Sequence, residues 1–139
     1  MVTKLSPHFT LEEVVKTKTG LSNTPNVVQT NQLRKLCLNI LEPVRSVYNK
    51  PLIIDSAFRS PDVNTAVGGV STSQHLLGQA ADIHSDYIPA RVLYNDIRLL
   101  VDNGHFHIGQ CIYYPTKNFV HVSLPSPCHK DEFFINHKY

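Results

Sequence analysis

The sequence predicts a single α+β domain over residues 1–139, with helices in the first half packed on a small antiparallel sheet supplied by the second. Three observations predict it. Leu33, Leu36, Cys37, Ile40, Leu41 and Val44 recur at three-and-four spacing, which makes one buried stripe of a long helix. Strand-like stretches, among them the alternating Phe119-Val120-His121-Val122-Ser123, fall mostly after Gln79. No repeat and no Gly/Ser/Pro-rich linker divides the chain, whose length is that of one ordinary domain.

The elements follow in order. Thr10-Leu11-Glu12-Glu13 has the form of a capping box, so a short helix starts there and ends by Gly20. Asn23, Pro25 and Asn26 mark a loop, and the long helix with the buried stripe comes next. Pro43 lies inside that stripe and predicts a kink, or a break just before it. Residues 51–58 read as a strand that delivers Arg59 to its end, and residues 60–69 as a loop with short helical content. Residues 79–84 form a second strand. Val92, Leu93, Ile97, Leu100 and Val101 then make one face of a helix that stops at Gly104. A hairpin closes the pattern, with strands over 105–114 and 119–124 joined by Pro115-Thr116-Lys117-Asn118.

Composition excludes several classes of function. A content of 42% hydrophobic and 17% charged residues belongs to a folded chain, not a disordered one. The net charge of +2 comes without a basic cluster, so nucleic acid is not an expected partner. No apolar run approaches the roughly 18 residues of a membrane span. Met1 to His8 lack the apolar segment of a secretory signal, so synthesis in the cytoplasm is expected. Cys37, Cys111 and Cys128 are odd in number and lack C-x-x-C spacing, which argues against a disulfide framework or a thiolate metal site.

The chemistry concentrates in two segments. His75 and Asp82 lie in Ser73-Gln74-His75-Leu76-Leu77-Gly78-Gln79-Ala80-Ala81-Asp82, where Gly78 discourages one continuous helix. Strand alternation puts Ala80, Asp82 and His84 on one face, and Phe119, His121 and Ser123 together on another strand. If these strands are neighbours, Asp82 and His121 point into one cleft and His75 closes over them. Two imidazoles and a carboxylate are the ligand set of a catalytic zinc site, whose fourth position is left for water. Zinc in such a site polarises a carbonyl and lowers the pKa of its water to about 7, which is what amide hydrolysis at neutral pH requires.

The same residues carry a resemblance. Ser73-x-His75-x-x-Gly78-x-Ala80-x-Asp82 with the later Val120-His121-Val122-Ser123 resembles the zinc D-alanyl-D-alanine carboxypeptidases and the related phage endolysins. These share a fold with the vancomycin-resistance D-Ala-D-Ala dipeptidases and with the Hedgehog signalling domain. The likeness extends upstream through Ser56-Ala57-Phe58-Arg59-Ser60-Pro61-x-Val63-Asn64-x-x-Val67-Gly68-Gly69. Phe9 to Glu13 and Leu41 to Arg45 also look like single-domain phage and bacterial members.

The resemblance implies a Hedgehog/DD-peptidase-like fold holding one Zn2+ per chain on His75, Asp82 and His121. It implies a peptidoglycan stem peptide as substrate, contacted by Arg59, Ser73, Gln74 and Asn118. Gln110 fits a structural role or a hydrogen bond in the site equally well. A monomer acting on the cell wall after lysis-type release, or after export by another route, is expected. One departure stands out: many relatives carry Glu or Asp three residues before the last histidine as general base, and here that position is Asn118. A neutral amide cannot take the proton. Some branches use a histidine near the metal, which makes His84, His105 and His107 the candidates. The alternative reading is a metal-bearing peptide-binding module without turnover, and Asn118 is the residue that favours it.

Overall fold

The computed structural model describes residues 2–138. The chain opens with a two-stranded antiparallel ribbon, β1 (Lys4–Ser6) and β2 (Phe9–Thr10), which leads into α1 (Leu11–Val14). The Thr10 side chain accepts from the Glu13 backbone N–H while Glu13 reaches back to Thr10, so the expected capping box is present. A second capping box, Asn26 with Gln29, starts α2 (Val27–Leu36).

The helix does not break ahead of Pro43. Proline has no N–H to donate, and the chain inserts a π-helical turn over Cys37–Leu41 before resuming as α3 (Glu42–Tyr48). The Glu42 N–H donates to the Cys37 carbonyl across this wider turn. Asn49 ends α3 in the left-handed conformation, with φ 51°.

β3 (Ile53–Ser56), α4 (Pro61–Ala66), β4 (Ala80–His84), α5 (Ala90–Asp102), β5 (Gln110–Tyr114), β6 (Phe119–Ser123) and β7 (Glu132–Ile135) complete the domain. The sheet runs β3-β4-β6-β5-β7. Its first four strands pair antiparallel, and β7 pairs parallel with β5 at the edge. The sheet is therefore mixed, which corrects the all-antiparallel expectation. β7 has little alternation to reveal it, and both Phe134 and Ile135 are exposed, as an edge strand permits. The hairpin strand expected from His105 begins only at Gln110, and the β1–β2 ribbon carried no legible pattern.

The two sheet faces divide the work. Ala81, Ile83, Cys111, Val120 and Val122 face a core completed by Leu33, Leu36, Ile40 and Leu41 from the long helix and by Leu93 and Ile97 from α5. Fully burying each such aliphatic side chain stabilises the fold by about 1.5–3 kcal/mol before ordering costs. The alternate residues Asp82, Gln110, Ile112, Tyr114, Phe119 and His121 turn the other way and line a cavity of about 440 Å³. Among the described residues, no helix is long and apolar enough to cross a membrane.

Candidate metal centre

Each of the three candidate ligands is positioned by a different device. His75 sits on a 3-10 turn (Gln74–Leu77) whose start is capped by Ser73, the hydroxyl of which accepts from the His75 N–H. Gly78 ends the turn at φ 72°, where a Cβ would meet the Gln29 carbonyl and the Leu33 side chain of α2. Glycine is thus required both for backbone freedom and for space. Asp82 and His121 face each other directly across the β4–β6 ladder, as the neighbouring-strand expectation had them.

The geometry suits a divalent cation. The Asp82 Oδ1 oxygen lies 3.0 Å from His121 Nδ1 and 3.4 Å from His75 Nε2. Ligand atoms on a tetrahedral zinc at about 2.0–2.1 Å are spaced roughly 3.3 Å apart. The three ligand atoms all lie within 4.8 Å of one another. His75 Nδ1 is 2.6 Å from the Ala57 carbonyl, so it carries the proton and leaves the Nε2 lone pair for a metal. The rings of His75 and His121 meet edge to face at 5.1 Å. Burial alone would raise the Asp82 carboxyl, but His75 and His121 outweigh it through charge and hydrogen bonds. Asp82 is therefore held far below the usual carboxylate range, ionised and ready to ligate.

Arg59 stands beside the triad and makes three side-chain hydrogen bonds to its surroundings. Nε donates to Ser56 Oγ at 3.1 Å, Nη1 to Asn64 Oδ1 at 3.3 Å and Nη2 to Asp82 Oδ2 at 3.3 Å. Its backbone N–H donates to the His75 carbonyl at 3.1 Å. The buried Asn64 is itself fixed by donating to the Val70 carbonyl. Gly69 packs so closely here that a Cβ would overlap the Asn64 amide.

Of the other sequence candidates, Ser73 and Gln74 line the cavity with Arg59. Gln74 Nε2 donates to the Leu124 carbonyl at 2.9 Å, while its Oε1 is buried without a partner among the described residues. Asn118 lies elsewhere. It adopts φ 51° in the β5–β6 turn, and its Oδ1 accepts from the Ala90 N–H at 3.2 Å, capping the start of α5. It is not among the residues that line the cavity, and its side chain instead satisfies a free N–H at the start of α5.

The three candidate bases have other partners or surroundings. His84 Nδ1 is 2.8 Å from Asp55, His107 Nδ1 is 2.9 Å from Asp131, and His105 lines a separate hollow beside Lys35 and Phe106. None of them lines the cavity that holds the triad. Sequence reasoning missed several residues that do, among them Tyr114, Lys117 and His129, and gave Phe119 no role there. The Tyr114 and Phe119 rings stack at 4.6 Å, which their pairing across the β5–β6 turn explains. His129 carried one signal, the acidic Glu132 three residues on.

The family model for Peptidase M15 matches residues 7–123, a span that includes all three candidate ligands and Arg59. No curated protein matched the sequence. With most of the chain matched and the His-Asp-His cluster in place, the chain belongs to the M15 zinc peptidase family, whose members are D-Ala-D-Ala carboxypeptidase-like.

Proposed function

We propose that this protein is a zinc-dependent peptidase that hydrolyses amide bonds in peptidoglycan stem peptides, as a D-Ala-D-Ala carboxypeptidase or an endolysin-type endopeptidase. The observation that carries the proposal is the convergence of His75, Asp82 and His121 in a cavity that Arg59 and Lys117 also line. These three side chains would hold one zinc ion per chain. When bound, that ion supplies Lewis-acid polarisation of the scissile carbonyl and acidification of water.

The chain's own residues do the rest. Arg59 offers its guanidinium edge to a carboxylate or carbonyl oxygen of the peptide, and Lys117 adds a second cation on the cavity wall. Together they favour a substrate with free carboxylates, such as a stem peptide ending in D-alanine or branching at an acidic residue. The stacked Tyr114 and Phe119 rings give the small alanyl methyl groups an apolar wall. The protein acts as a monomer and reaches its polymer after release at lysis or by export.

Digestion of defined muropeptides by the zinc-loaded protein, read by mass spectrometry, tests the proposal. Release of free alanine marks a carboxypeptidase, and splitting of cross-linked dimers marks an endopeptidase. A protein that binds zinc fully and cleaves neither is a binding module, and the proposal fails.

A further inference from the structure

The resemblance leaves a chemical gap where a carboxylate base would stand, and the cavity fills it from an unexpected part of the chain. Of the groups that line it, His75, Asp82 and His121 are committed as ligands, and Arg59 and Lys117 are cations. Gln74, Gln110, Ser73 and Thr72 neither gain nor lose protons near neutrality. Tyr114 offers a phenol hydroxyl, which acts as a hydrogen-bond donor and acceptor and not as a general base. His129 is what remains, and it lies beyond the span of the family match, in the segment that leads into β7.

His129 is held for the task. Its Nδ1 is 3.0 Å from Glu132 Oε1, which also accepts from Gln110 Nε2 at 3.3 Å. Gln110 and Glu132 are register partners across the parallel β5–β7 pair, so the sheet fixes the carboxylate that fixes the ring. The His129 backbone is pinned as well, by N–H donation to Ser126 and by acceptance of the Ser126 N–H at 2.9 Å. A carboxylate on Nδ1 selects the Nδ1–H tautomer and leaves the Nε2 lone pair as the proton acceptor. A histidine on the cavity wall, oriented by a carboxylate that a third side chain orients in turn, is the arrangement of a proton-transfer group.

We propose that His129 is the proton-transfer residue of this peptidase, with Glu132 and Gln110 as its positioning residues; the assignment rests on the peptidase reading above. As the oxygen of the attacking water bonds to the scissile carbonyl carbon, one proton of that water passes to His129 Nε2. When the C–N bond breaks, the same proton moves from Nε2 to the departing nitrogen, which leaves as an amine. The remaining proton of the newly formed acid is released, and the ring returns to its neutral state with one water consumed.

The test uses the full zinc-loaded chain and a muropeptide that the wild type cleaves. His129→Ala should lower kcat by about 10²–10⁴-fold, with zinc content unchanged by elemental analysis. Added imidazole should restore part of that rate, since the half-exposed ring leaves a hole open to the cavity, and should restore none to His121→Ala. Glu132→Gln should lower kcat less and should shift the His129 ring from the Nδ1–H to the Nε2–H tautomer in ¹⁵N spectra. That last readout is available in the metal-free protein. A His129→Ala rate within about threefold of wild type, far short of the loss expected for a proton-transfer group, overturns the assignment. So does a loss of activity matched by a loss of zinc. A wild type that cleaves no muropeptide defeats the peptidase reading and this assignment together, whereas cleavage that survives without His129 defeats this assignment alone.

Discussion

Arg59→Ala separates two roles that the structure superimposes. The sequence alone made Arg59 a residue for substrate, but its side chain also braces Ser56, Asn64 and Asp82. All three hydrogen bonds have the charged guanidinium as donor, and such bonds contribute about 1.5–3 kcal/mol each at good geometry. All three are longer than the roughly 2.9 Å ordinary for N–H···O bonds. Water entering from the cavity would re-solvate part of what Arg59 leaves. Asp82 keeps both histidines as partners. The net cost should therefore be about 1–2 kcal/mol, a fall in Tm of roughly 3–8 °C for a domain this size. Losing one charge-assisted substrate contact should separately lower kcat/KM about ten- to a hundredfold. Calorimetry, elemental analysis and steady-state kinetics on the same preparation read all three quantities. A falling Tm with an unchanged kcat/KM would make Arg59 a brace only. Zinc loss in proportion to activity would show that it acts through Asp82, and the substrate contact would be refuted.

Three further outcomes are expected. Burial, with Glu42 and Glu13 adding to it, pushes the Cys37 thiol up to about 12, and burial also raises Cys111, whereas Cys128 is exposed; a thiol reagent at pH 8 should label one cysteine in the native chain and all three after denaturation. Burial raises the Glu42 carboxyl, but hydrogen bonds from Ser6 and His8 outweigh it and hold the group below its ordinary 4.5; its stabilisation is complete above that pH and lost as pH falls through the lowered value, so Glu42→Gln should be less stable than wild type at pH 7, with the gap closing on acidification below 4.5 in denaturant titrations. Gly78→Ala combines positive φ with collision against the Gln29 carbonyl, whereas Gly20→Ala has positive φ and open space; Gly20→Ala should cost about 1–2 kcal/mol, while Gly78→Ala should cost more and also weaken zinc binding, and equal effects on both would mean the α2 contact is unimportant.

What the sequence made legible was local. Thr10 with Glu13, the stripe from Leu33 to Val44, the irregularity around Pro43 and the alternation in β4 and β6 all act within a few residues of themselves. The clustering of the candidate metal triad was legible for the same reason, since its two segments are each short and only one pairing, β4 with β6, had to be assumed. The misses depended on distant partners. β7 is a strand because β5 offers it a parallel edge, and nothing in Glu132 to Ile135 encodes that edge. Asn118 reads as a polar residue near the site until the start of α5 arrives at its side chain. His129 lies just before β7, whose pairing with β5 places Glu132 beside Gln110.

The triad depends on more of the chain than its motif. Asp82 and His121 belong to the β4–β6 ladder, but His75 is strapped to the end of β3: its ring donates to the Ala57 carbonyl and its carbonyl accepts from the Arg59 N–H. Phe58, between those two, donates its N–H to the Val14 carbonyl at the end of α1, and the Asn23 amide bridges the Val15 and Phe58 carbonyls. The segment that grips the first ligand is thus itself gripped by the amino-terminal helix and the loop after it. The grip matters because a preformed site avoids the cost of ordering its ligands when metal binds. Loosening this strap, by Asn23→Ala for instance, should weaken metal binding although no ligand, and no residue of the metal motif, has been touched. Val14, Val15 and Asn23, far from the motif in sequence, in this way support the candidate metal site.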